Sequence, residues 1–348
     1  MRGASCGWIR LPSRWGRRSS HSRERDVTAD ETAFDELTAA VSRAELLAHC
    51  YRMLGSATDA EDVVQEVYLR AWRAFHRFEG RSSVRTWIYQ IATNTCLTAL
   101  DNQSRRPLPT GLGTDASDPS VPVVADRETL WLQPLPDRAL GDPAEATVRS
   151  ESVGLAMVAA MQELPPRQRA TLILRDVLAF SAAETAELLD TSVASANSAL
   201  ARARKTLGDG AVPDGRRAAE LTADERAVWE EFCAAFERHD IDGVVGLLAD
   251  EAVWEMPPFP GWYVGAAAIG TLTRTQCPAQ RAGDLRMIPT TCNGLPAAGM
   301  YLRTTVAGRD VWRPFQLDVI SIVDGKVAHV GAFFEPELFR LAGLPETC

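Results

Sequence analysis

The chain has 348 residues, seven cysteines and a formal net charge of −9 at pH 7. This length exceeds what one hydrophobic core usually supports, so we expect two or three domains. The scattered cysteines form no C-x-x-C pair, which argues against a zinc site or a disulfide framework and is typical of the reducing cytoplasm. The sequence has no apolar run long enough to span a bilayer, and we predict neither a membrane segment, a metal nor a cofactor.

Residues 1–33 form an arginine-rich segment with two tryptophans among serines and glycines. The segment has no uninterrupted apolar stretch of the kind that a secretory signal needs. We expect either a disordered basic tail or a start of translation that lies further along the chain.

The next segment shows the apolar spacing of three amphipathic helices. The first helix ends at Gly55, and the second runs from about 59 to 75 behind a capping box of Thr58 and Glu61. The third spans about 84–100. We therefore predict a compact three-helix bundle.

The second helix carries an acidic first face. Its members are Asp59, Glu61, Asp62, Gln65 and Glu66. The blocks D-A-E-D-V-V-Q-E-V-Y-L-R-A-W and T-W-I-Y-Q-I-A-T-N resemble region two of the extracytoplasmic-function sigma factors, the small sigma-70 family initiation subunits of bacterial RNA polymerase. This resemblance implies that residues 34–106 form region two and that the acidic face docks on the clamp coiled coil of the largest polymerase subunit. Without the resemblance, the pattern predicts a solvent-exposed helix face whose acidic residues complement the helix dipole.

Aromatic and arginine side chains alternate between the second and third helices. This pattern suits single-stranded DNA, because bases stack on rings while guanidinium groups hold the backbone. We expect Phe75 and Trp87 in the core. The remaining candidates for DNA contact are Phe78, Arg81, Arg85 and Asn94. In the resembling family, this loop and the next helix capture an unstacked base of the minus-ten element, which costs a few kcal/mol of unstacking.

Residues 107–147 are acidic and rich in proline and glycine, which predicts a linker. In the resembling family the equivalent segment threads through polymerase channels, and a passive tether is the alternative. Trp131 and Leu132 indicate at least one anchored contact. The acidic excess of the chain sits mainly in this segment and after residue 220, so the net charge does not argue against DNA binding by the helical segments.

Residues 148–207 read as short helices that end in a basic helix without an acidic residue. Ser181 and Glu184 form a capping box for the penultimate helix, and Asp190 follows its end. The last helix has a predicted buried stripe of Val193, Ala196, Leu200, Ala203 and Leu207. This plan is a helix-turn-helix, whose last helix enters the major groove. The alternative is an ordinary helical subdomain with a wet polar face.

The polar face of that last helix supplies the candidate duplex-DNA contacts. They are Ser192, Ser195, Asn197, Ser198, Arg202, Arg204 and Lys205, the serines and Asn197 towards bases and the cations towards phosphates. The opening L-P-P-x-x-R and the closing A-R-A-R-K-x-L resemble region four of the same sigma factors, which implies recognition of the minus-thirty-five element. The variant N-S-A-L-x-R-A-R lacks two cations of the usual pattern and resembles the branch with a fused C-terminal domain.

After a joint at 208–220, residues 221–348 show two helices followed by strand patterns, with a hairpin turn at Asp324 and Gly325. This order predicts an α+β domain after two all-α domains. The helix pair, the A-V-W-E-M-P-P-F-P-G-W-Y-V-G element and the hairpin resemble the cone-shaped SnoaL-like fold of polyketide cyclases and ketosteroid isomerases.

The cone has three candidate roles: an enzyme, a regulatory ligand pocket, or an interaction surface for the sigma domains or polymerase. Candidate pocket residues are Trp254, Glu255, Met256, Trp262, Tyr263, Phe315, Asp318, His329 and Phe333. No two of their ionisable groups form a recognisable dyad, and we assign no catalytic residue.

The whole pattern predicts a cytoplasmic sigma factor that binds core RNA polymerase and promoter DNA and is regulated by its C-terminal domain, with a small molecule as a candidate ligand. The alternative is a ligand-sensing helix-turn-helix regulator that binds its site without being a polymerase subunit. We expect the short joint to place the cone next to the basic helix. Promoter sequence, inducing signal and any anti-sigma partner are not readable from the sequence.

Overall fold

The structure of the chain, a computed structural model, describes residues 40–101, 105–141, 154–208 and 221–348. Within it Val41–Cys348 forms one compact unit. The tail predicted over 1–33 lies outside the described residues, as does all but the first residue of the predicted joint. None of the described helices has the length and apolar character needed to cross a membrane.

Three helices form what we call the first bundle: α1 spans Arg43–Leu54, α2 spans Ala57–Ala74 and α3 spans Val84–Leu100. Ser42 and Glu45 make a capping box at the start of α1. Gly55 ends this helix in the left-handed conformation, with φ of 69°. The predicted three-helix arrangement and the predicted end at Gly55 are confirmed.

The start of α2 differs from the prediction. Ser56, not Thr58, is the N-cap, and its hydroxyl oxygen accepts a first-turn backbone N–H at 3.1 Å. Ser56 also donates to Gln133 Oε1 at 2.9 Å. The predicted capping box of Thr58 and Glu61 is therefore wrong, because a buried serine two residues earlier already satisfies the helix terminus.

Residues 105–141, which we call the strap, form no regular helix or strand apart from two 3₁₀ turns at Pro109–Leu112 and Asp137–Leu140. Leu108, Trp131, Leu132 and Leu135 of the strap are buried. The anchored contact predicted at Trp131 and Leu132 is confirmed. The strap is a packed element of the fold and not a passive tether.

Four helices form the second bundle: α4 spans Leu155–Gln162, α5 Pro166–Leu172, α6 Ala182–Leu188 and α7 Val193–Leu207. A π turn over Ile173–Val177 continues α5. The predicted capping box of Ser181 and Glu184 is confirmed, and Asp190, at φ of 47°, turns the chain towards α7. Helix α4 was not predicted.

Residues 221–348, which we call the cone domain, contain a six-stranded sheet with the order β2-β1-β6-β5-β4-β3. The helices are α8 Ala223–Glu237, α9 Ile241–Leu247, α10 Ala266–Gln276 and α11 Pro336–Leu341. The strands are β1 Leu248–Met256, β2 Phe259–Val264, β3 Leu285–Cys292, β4 Leu295–Val306, β5 Arg309–Val323 and β6 Lys326–Phe333. Strands β1 and β6 run parallel and the other neighbours antiparallel.

The predicted pair of helices before the strands is confirmed for this domain, whereas α10 lies between β2 and β3 and α11 follows β6. Asp324 and Gly325 have φ of 51° and 71°, as a two-residue hairpin turn requires. The sequence pattern did not predict β2, α10 or α11. Strand β2 reads as a Pro- and Gly-containing loop, and it is a strand because it pairs with β1 at the sheet edge.

The two faces of the sheet have different surroundings, since successive residues of a strand point to opposite sides. On the inner face, Trp254 and Met300 share one core with residues of α8 and α10 such as Phe236 and Leu272. On the outer face Tyr301 packs edge-on against Phe339 of α11, with ring centroids 5.3 Å apart. The strap also reaches the outer face.

Candidate functional site

Helix α7 presents most of its predicted polar residues to solvent. Ser192 is its N-cap and accepts the N–H of Ser195 at 3.1 Å. The exposed members are Ser192, Ser195, Asn197, Ser198, Arg202, Arg204 and Lys205. Ala196, Leu200 and Ala203 are buried as predicted, whereas Val193 is 44% exposed, so its assignment to the buried stripe is wrong. Val193 is the first residue of α7, where the neighbouring helices do not cover its side chain.

One cation of α7 already has a partner within the second bundle. Arg204 donates to both carboxylate oxygens of Asp176, from Nε at 2.9 Å and from Nη2 at 2.6 Å. This hydrogen bond, with the carboxylate charge, raises the pKa of Arg204. Arg202 and Lys205 are exposed on the same helix. The basic face therefore combines two solvent-exposed cations with one that also fixes α7 to the turn after α5.

The candidate contacts to single-stranded DNA in and after the segment between α2 and α3 differ in burial. Phe78 is half-buried and lies 4.9 Å from the ring of Trp87. Phe75 and Trp87 are themselves half-buried, so their prediction as core residues is wrong. Each ring packs against an aromatic neighbour, Phe75 on Trp72 and Trp87 on Phe78, near the surface of the bundle. Asn94 is exposed on α3.

The two candidate arginines of this segment differ. Arg81 is exposed beside Glu79, with Nη2 2.7 Å from the carboxylate. Arg85 is half-buried, donates to Glu45 at 2.8 Å and lies 4.9 Å from the ring centroid of Tyr89. Arg81 is therefore the more accessible guanidinium, and Arg85 ties the start of α3 to α1.

The acidic face of α2, which we call the docking face, is partly engaged by other segments of the chain. Asp59 forms an ion pair with Arg106 of the strap, and Glu61 is buried and pairs with Arg43. Asp62 and Gln65 are exposed. The last member, Glu66, accepts from Arg70 of its own helix at 2.7 Å.

Helix α11 of the cone domain lies beside the docking face. The pKa of Arg340 on α11 is raised, chiefly by its hydrogen bond to Glu337 and further by the charges of Glu61 and Asp62. A cleft of about 500 Å³ separates the two helices, lined by Arg43, Glu61 and Arg340 among others. The third domain thus meets the helix that sequence analysis assigned to polymerase docking.

The first and second bundles pack directly against each other. Arg169, the last residue of the L-P-P-x-x-R segment, is 2% exposed and donates to the carbonyl of Met53 at the end of α1. Burial lowers the pKa of this guanidinium to about 10. It also donates to Gln162 Oε1 at 2.7 Å, and Tyr89 of α3 packs edge-on against Phe180 at 5.5 Å.

Gly55 shows how close this approach is. A Cβ atom at that position would lie 2.8 Å from the side chain of Gln162 and 3.0 Å from that of Leu132. Its left-handed backbone already favours glycine. The second bundle, the strap and the first bundle therefore converge at the end of α1.

A cavity of about 300 Å³ lies on the inner face of the cone sheet. Its lining residues are Val123, Phe236, Trp254, Met256, Phe259, Leu272, Thr273, Gln276, Cys277, Pro278, Met300, Phe315, Gln316 and Phe334. Of the predicted pocket residues Trp254, Met256 and Phe315 line it. Val123 comes from the strap, and no sequence signal pointed to it.

The other predicted pocket residues do not line the cavity. Glu255 lies between Trp254 and Met256 on β1, so the strand alternation turns it to the outer face. His329 accompanies it there, with Nε2 2.7 Å from Glu255 Oε1. Trp262 bonds the strap through its indole N–H, and Tyr263 and Phe333 are buried in the packing of the domain.

Glu255, His329 and Thr110 form a cluster that sequence analysis did not predict. Thr110 of the strap donates its backbone N–H and its hydroxyl to Glu255 Oε2, at 3.1 and 2.9 Å. Glu255 is 1% exposed. The cluster anchors the strap to the outer face, which the 145-residue separation of its members hid from sequence reasoning.

Asp318 is fully buried on the inner face and accepts from Gln316 Nε2 at 2.7 Å. Burial raises the pKa of this carboxyl to about 7, and the hydrogen bond from Gln316 opposes that rise. Its Oδ2 and the indole nitrogen of Trp254 have no hydrogen-bond partner among the described residues. Trp254 lines the cavity, whereas Asp318 is not among its lining residues.

Comparison with known families divides the chain into three matched segments. Residues 42–106 match the model of sigma-70 region 2, and residues 154–207 match that of sigma-70 region 4. Residues 229–330 match a SnoaL-like domain. The three matches correspond to the first bundle, the second bundle and most of the cone domain.

Some known proteins match almost the whole chain, and others match about half of it. The chain is 49% identical to the ECF RNA polymerase sigma factor SigG of Mycobacterium tuberculosis H37Rv over 343 residues, which covers 95% of this chain and 87% of the relative. It is 31% identical to the RNA polymerase sigma-H factor of Pseudomonas aeruginosa over 185 residues, or 53% of this chain and 89% of the relative. The crystal structure of M. tuberculosis SigJ is similar in fold, with a TM-score of 0.52, 24% identity and coverage of 90% of this chain and 99% of that one.

Proposed function

The chain belongs to the extracytoplasmic-function sigma factors of RNA polymerase, and we infer from this family how it functions. As a sigma factor it binds core RNA polymerase and directs promoter-specific transcription initiation. A regulator that acts apart from polymerase is not favoured, because both sigma-70 regions match. Our proposal is that the described arrangement is a closed form, which the cone domain and the strap stabilise and which must open before a promoter is read.

The direct contact between the two bundles carries this proposal. The first bundle would read the minus-ten element and the second the minus-thirty-five element, which lie about 25 base pairs or roughly 85 Å apart on B-form DNA. Two bundles joined through Arg169 and Met53 cannot reach both elements together. Opening must therefore break this interface, including the buried hydrogen bond from Arg169 to Met53.

The cone domain stabilises the closed form at two places on the first bundle. Asn293 donates to the hydroxyl of Tyr51 at 3.2 Å, and α11 lies beside α2. Because the contacts are within one chain, they act at an effective concentration of up to about the millimolar range. Weak contacts are then sufficient to bias the equilibrium between closed and open forms.

The strap links this arrangement to polymerase binding. Its Arg106 is 6% exposed and holds Asp59, and Arg43 holds Glu61, so two carboxylates of the docking face are engaged in the closed form. Polymerase that binds this face has to compete with Arg106 for Asp59. We propose that Asp62 and Gln65 make the first contacts and that Asp59 becomes available as the strap leaves.

We assign duplex readout to the exposed face of α7. Asn197 would bond a base edge, and Arg202 and Lys205 would contact phosphates. For the single-stranded element we assign Phe78, Arg81 and Asn94. The cavity of the cone domain is our proposed site for a small regulatory molecule.

Energy transfer between two labels tests the closed form. Labels introduced at Thr98 on α3 and Thr206 on α7, both exposed, report the distance between the bundles in the full chain. We expect high transfer in the free chain and low transfer once core polymerase is bound. A control pair at Arg73 and Thr98, both within the first bundle, should not change. Transfer that stays high in a holoenzyme active in promoter-dependent transcription would refute the closed-form proposal.

A further inference from the structure

The strap forms part of the wall of the inner cavity. Val123 lines it, and the Val123 N–H is directed to Gln276 Oε1 at 3.5 Å. On either side the strap is bound to the cone domain, since the Ser117 N–H donates to the carbonyl of Trp262 and the Asp126 N–H donates to the carbonyl of Pro258, both at 2.8 Å. The cavity has its full wall only while this part of the strap is seated.

One buried polar group at the cavity has unused hydrogen-bonding capacity. Trp254 is 4% exposed, and its indole N–H has no acceptor among the described residues. Unsatisfied buried polar groups are uncommon in native proteins because each costs about 1–3 kcal/mol. A ligand with a matching polar atom would satisfy the indole N–H once the side chains packed over this buried nitrogen move aside.

The lining defines what kind of molecule fits. None of the described residues that line the cavity is charged, and most are aromatic, aliphatic or methionine. A charged ligand would lose its hydration without gaining an ion pair. A volume of about 300 Å³ is roughly twice that of an engineered apolar cavity that holds one benzene molecule. The best fit is an uncharged molecule of about two fused rings with one hydrogen-bond acceptor.

We propose that the cavity binds an uncharged two-ring molecule whose carbonyl accepts from Trp254 Nε1, and that this molecule binds beneath Val123 and holds the strap on the cone domain. The strap supplies part of the binding wall, so the molecule binds more tightly when the strap is seated than when it is released. By linkage, ligand binding shifts the equilibrium towards the seated strap. This inference depends on the closed form proposed above for one statement only. That statement is that a seated strap disfavours separation of the two bundles.

The bicyclic ketone 1-tetralone and the hydrocarbon tetralin are a matched pair of probes. They have the same ring skeleton, and tetralin lacks the acceptor. In the full chain with ¹⁵N-labelled tryptophan, we expect 1-tetralone to shift the indole N–H resonance of Trp254, which is assigned by its loss in Trp254→Phe. That variant keeps an aromatic wall and should bind 1-tetralone roughly tenfold more weakly, while its tetralin affinity stays the same.

Hydrogen exchange measures the effect on the strap. The amides of Ser117 and Asp126 donate to the carbonyls of Trp262 and Pro258, both at 2.8 Å, and we expect 1-tetralone to slow their exchange. Val123→Ala should reduce both the affinity and this protection. The control Val124→Ala changes the neighbouring valine, which is 76% exposed, and should behave like the unaltered chain.

The outcomes separate this inference from the closed-form proposal. If neither probe binds at about 1 mM, or if 1-tetralone speeds the exchange of Ser117 and Asp126, the ligand inference is overturned while the energy-transfer result stands. Binding with slower strap exchange but no change in transfer between the bundles supports the site and overturns the link to the closed form.

Discussion

Asn293, in a hairpin turn of the cone domain, donates its side-chain amide to the hydroxyl of Tyr51 in α1 of the first bundle, with Nδ2 3.2 Å from Oη. The Asn293 carbonyl oxygen also accepts the backbone N–H of Leu135 in the strap at 2.8 Å. Tyr51 donates in turn to the carbonyl of Gln133 at 2.8 Å. One hairpin side chain thus joins the cone domain, the strap and the first bundle.

Replacing the Asn293 side chain should destabilise the proposed closed form. Asn293 has φ of 52°, so Asn293→Gly keeps the turn while it removes the bonds to Tyr51 and Leu135. We expect amide exchange at Leu135 to accelerate roughly tenfold, since each lost bond contributes about 1 kcal/mol. Energy transfer between the bundles should also fall.

Asp324→Gly is the matched control, because Asp324 has φ of 51° in a hairpin turn followed by glycine and is exposed. It should leave exchange at Leu135 and the transfer between the bundles unchanged. Equal behaviour of the two variants would show that the Asn293 side chain does not hold the first bundle.

The docking face predicts a charge-reversal effect. Asp62 is exposed on α2 beside residues already paired within the chain, so Asp62→Lys should lower affinity for core polymerase by roughly tenfold or more while circular dichroism stays the same. Reversing Glu66 as well should abolish binding. Glu251→Lys makes the same charge change at an exposed position on β1 and should bind core normally. Core affinity unaffected by both reversals on α2 would exclude this face.

Helix α7, our proposed recognition helix, predicts two separable effects in the holoenzyme. Asn197→Ala should reduce discrimination at one or two base pairs by about 1–3 kcal/mol. Arg202→Ala should weaken all promoter sequences alike and reduce the slope of log affinity against log salt by about 1. Binding titrations on promoter variants at several salt concentrations measure both quantities. Unchanged base preference and salt slope in both variants would mean that another surface reads the DNA.

Arg204→Ala should behave differently from Arg202→Ala. It removes the two bonds to Asp176 as well as a cation, so we expect a lower melting temperature of the second bundle in addition to weaker DNA binding. Arg202→Ala should leave the melting temperature within about a degree of the unaltered chain, as is usual for exposed positions. Equal thermal stability of the two variants would argue against a structural role for the Arg204 pair.

The buried carboxyl of Asp318 predicts a pH dependence of stability. Its pKa is about 7 in the native state against an ordinary 3.8, so between these values the native state holds a proton that the unfolded chain has lost. The free energy of unfolding therefore falls as pH rises through this window and levels off above pH 7. Asp318→Asn removes the titration and keeps an oxygen that accepts from Gln316.

We expect the stability difference, variant minus unaltered chain, to increase by about 3 kcal/mol between pH 5 and pH 8. Denaturant unfolding of both proteins at the two pH values measures it, and groups common to both cancel in the difference. A difference that is the same at both pH values would show that the carboxyl is ionised in the native state at both.

Local sequence patterns were sufficient for much of the helical fold. The Ser181 and Glu184 capping box, the end of α1 at Gly55 and the hairpin at Asp324 and Gly325 each depend on residues within a few positions of one another. The order of two helical bundles and an α+β domain followed from periodicities of about 3.6 and 2 residues. Strand β2 was missed because its Pro- and Gly-containing segment becomes a strand only by pairing with β1.

Most helices and strands, the acid-free face of α7 and the family to which the motifs belong can be read from the sequence. Which of the predicted surfaces are engaged by other parts of the chain depends on the tertiary structure. Asp59 bonds Arg106, Val123 lines the cavity, and Asn293 meets Tyr51 across 242 residues of chain. Local backbone preferences act over one or two turns and can be read from spacing. Contacts between distant segments depend on how three domains pack, and no local pattern encodes that packing.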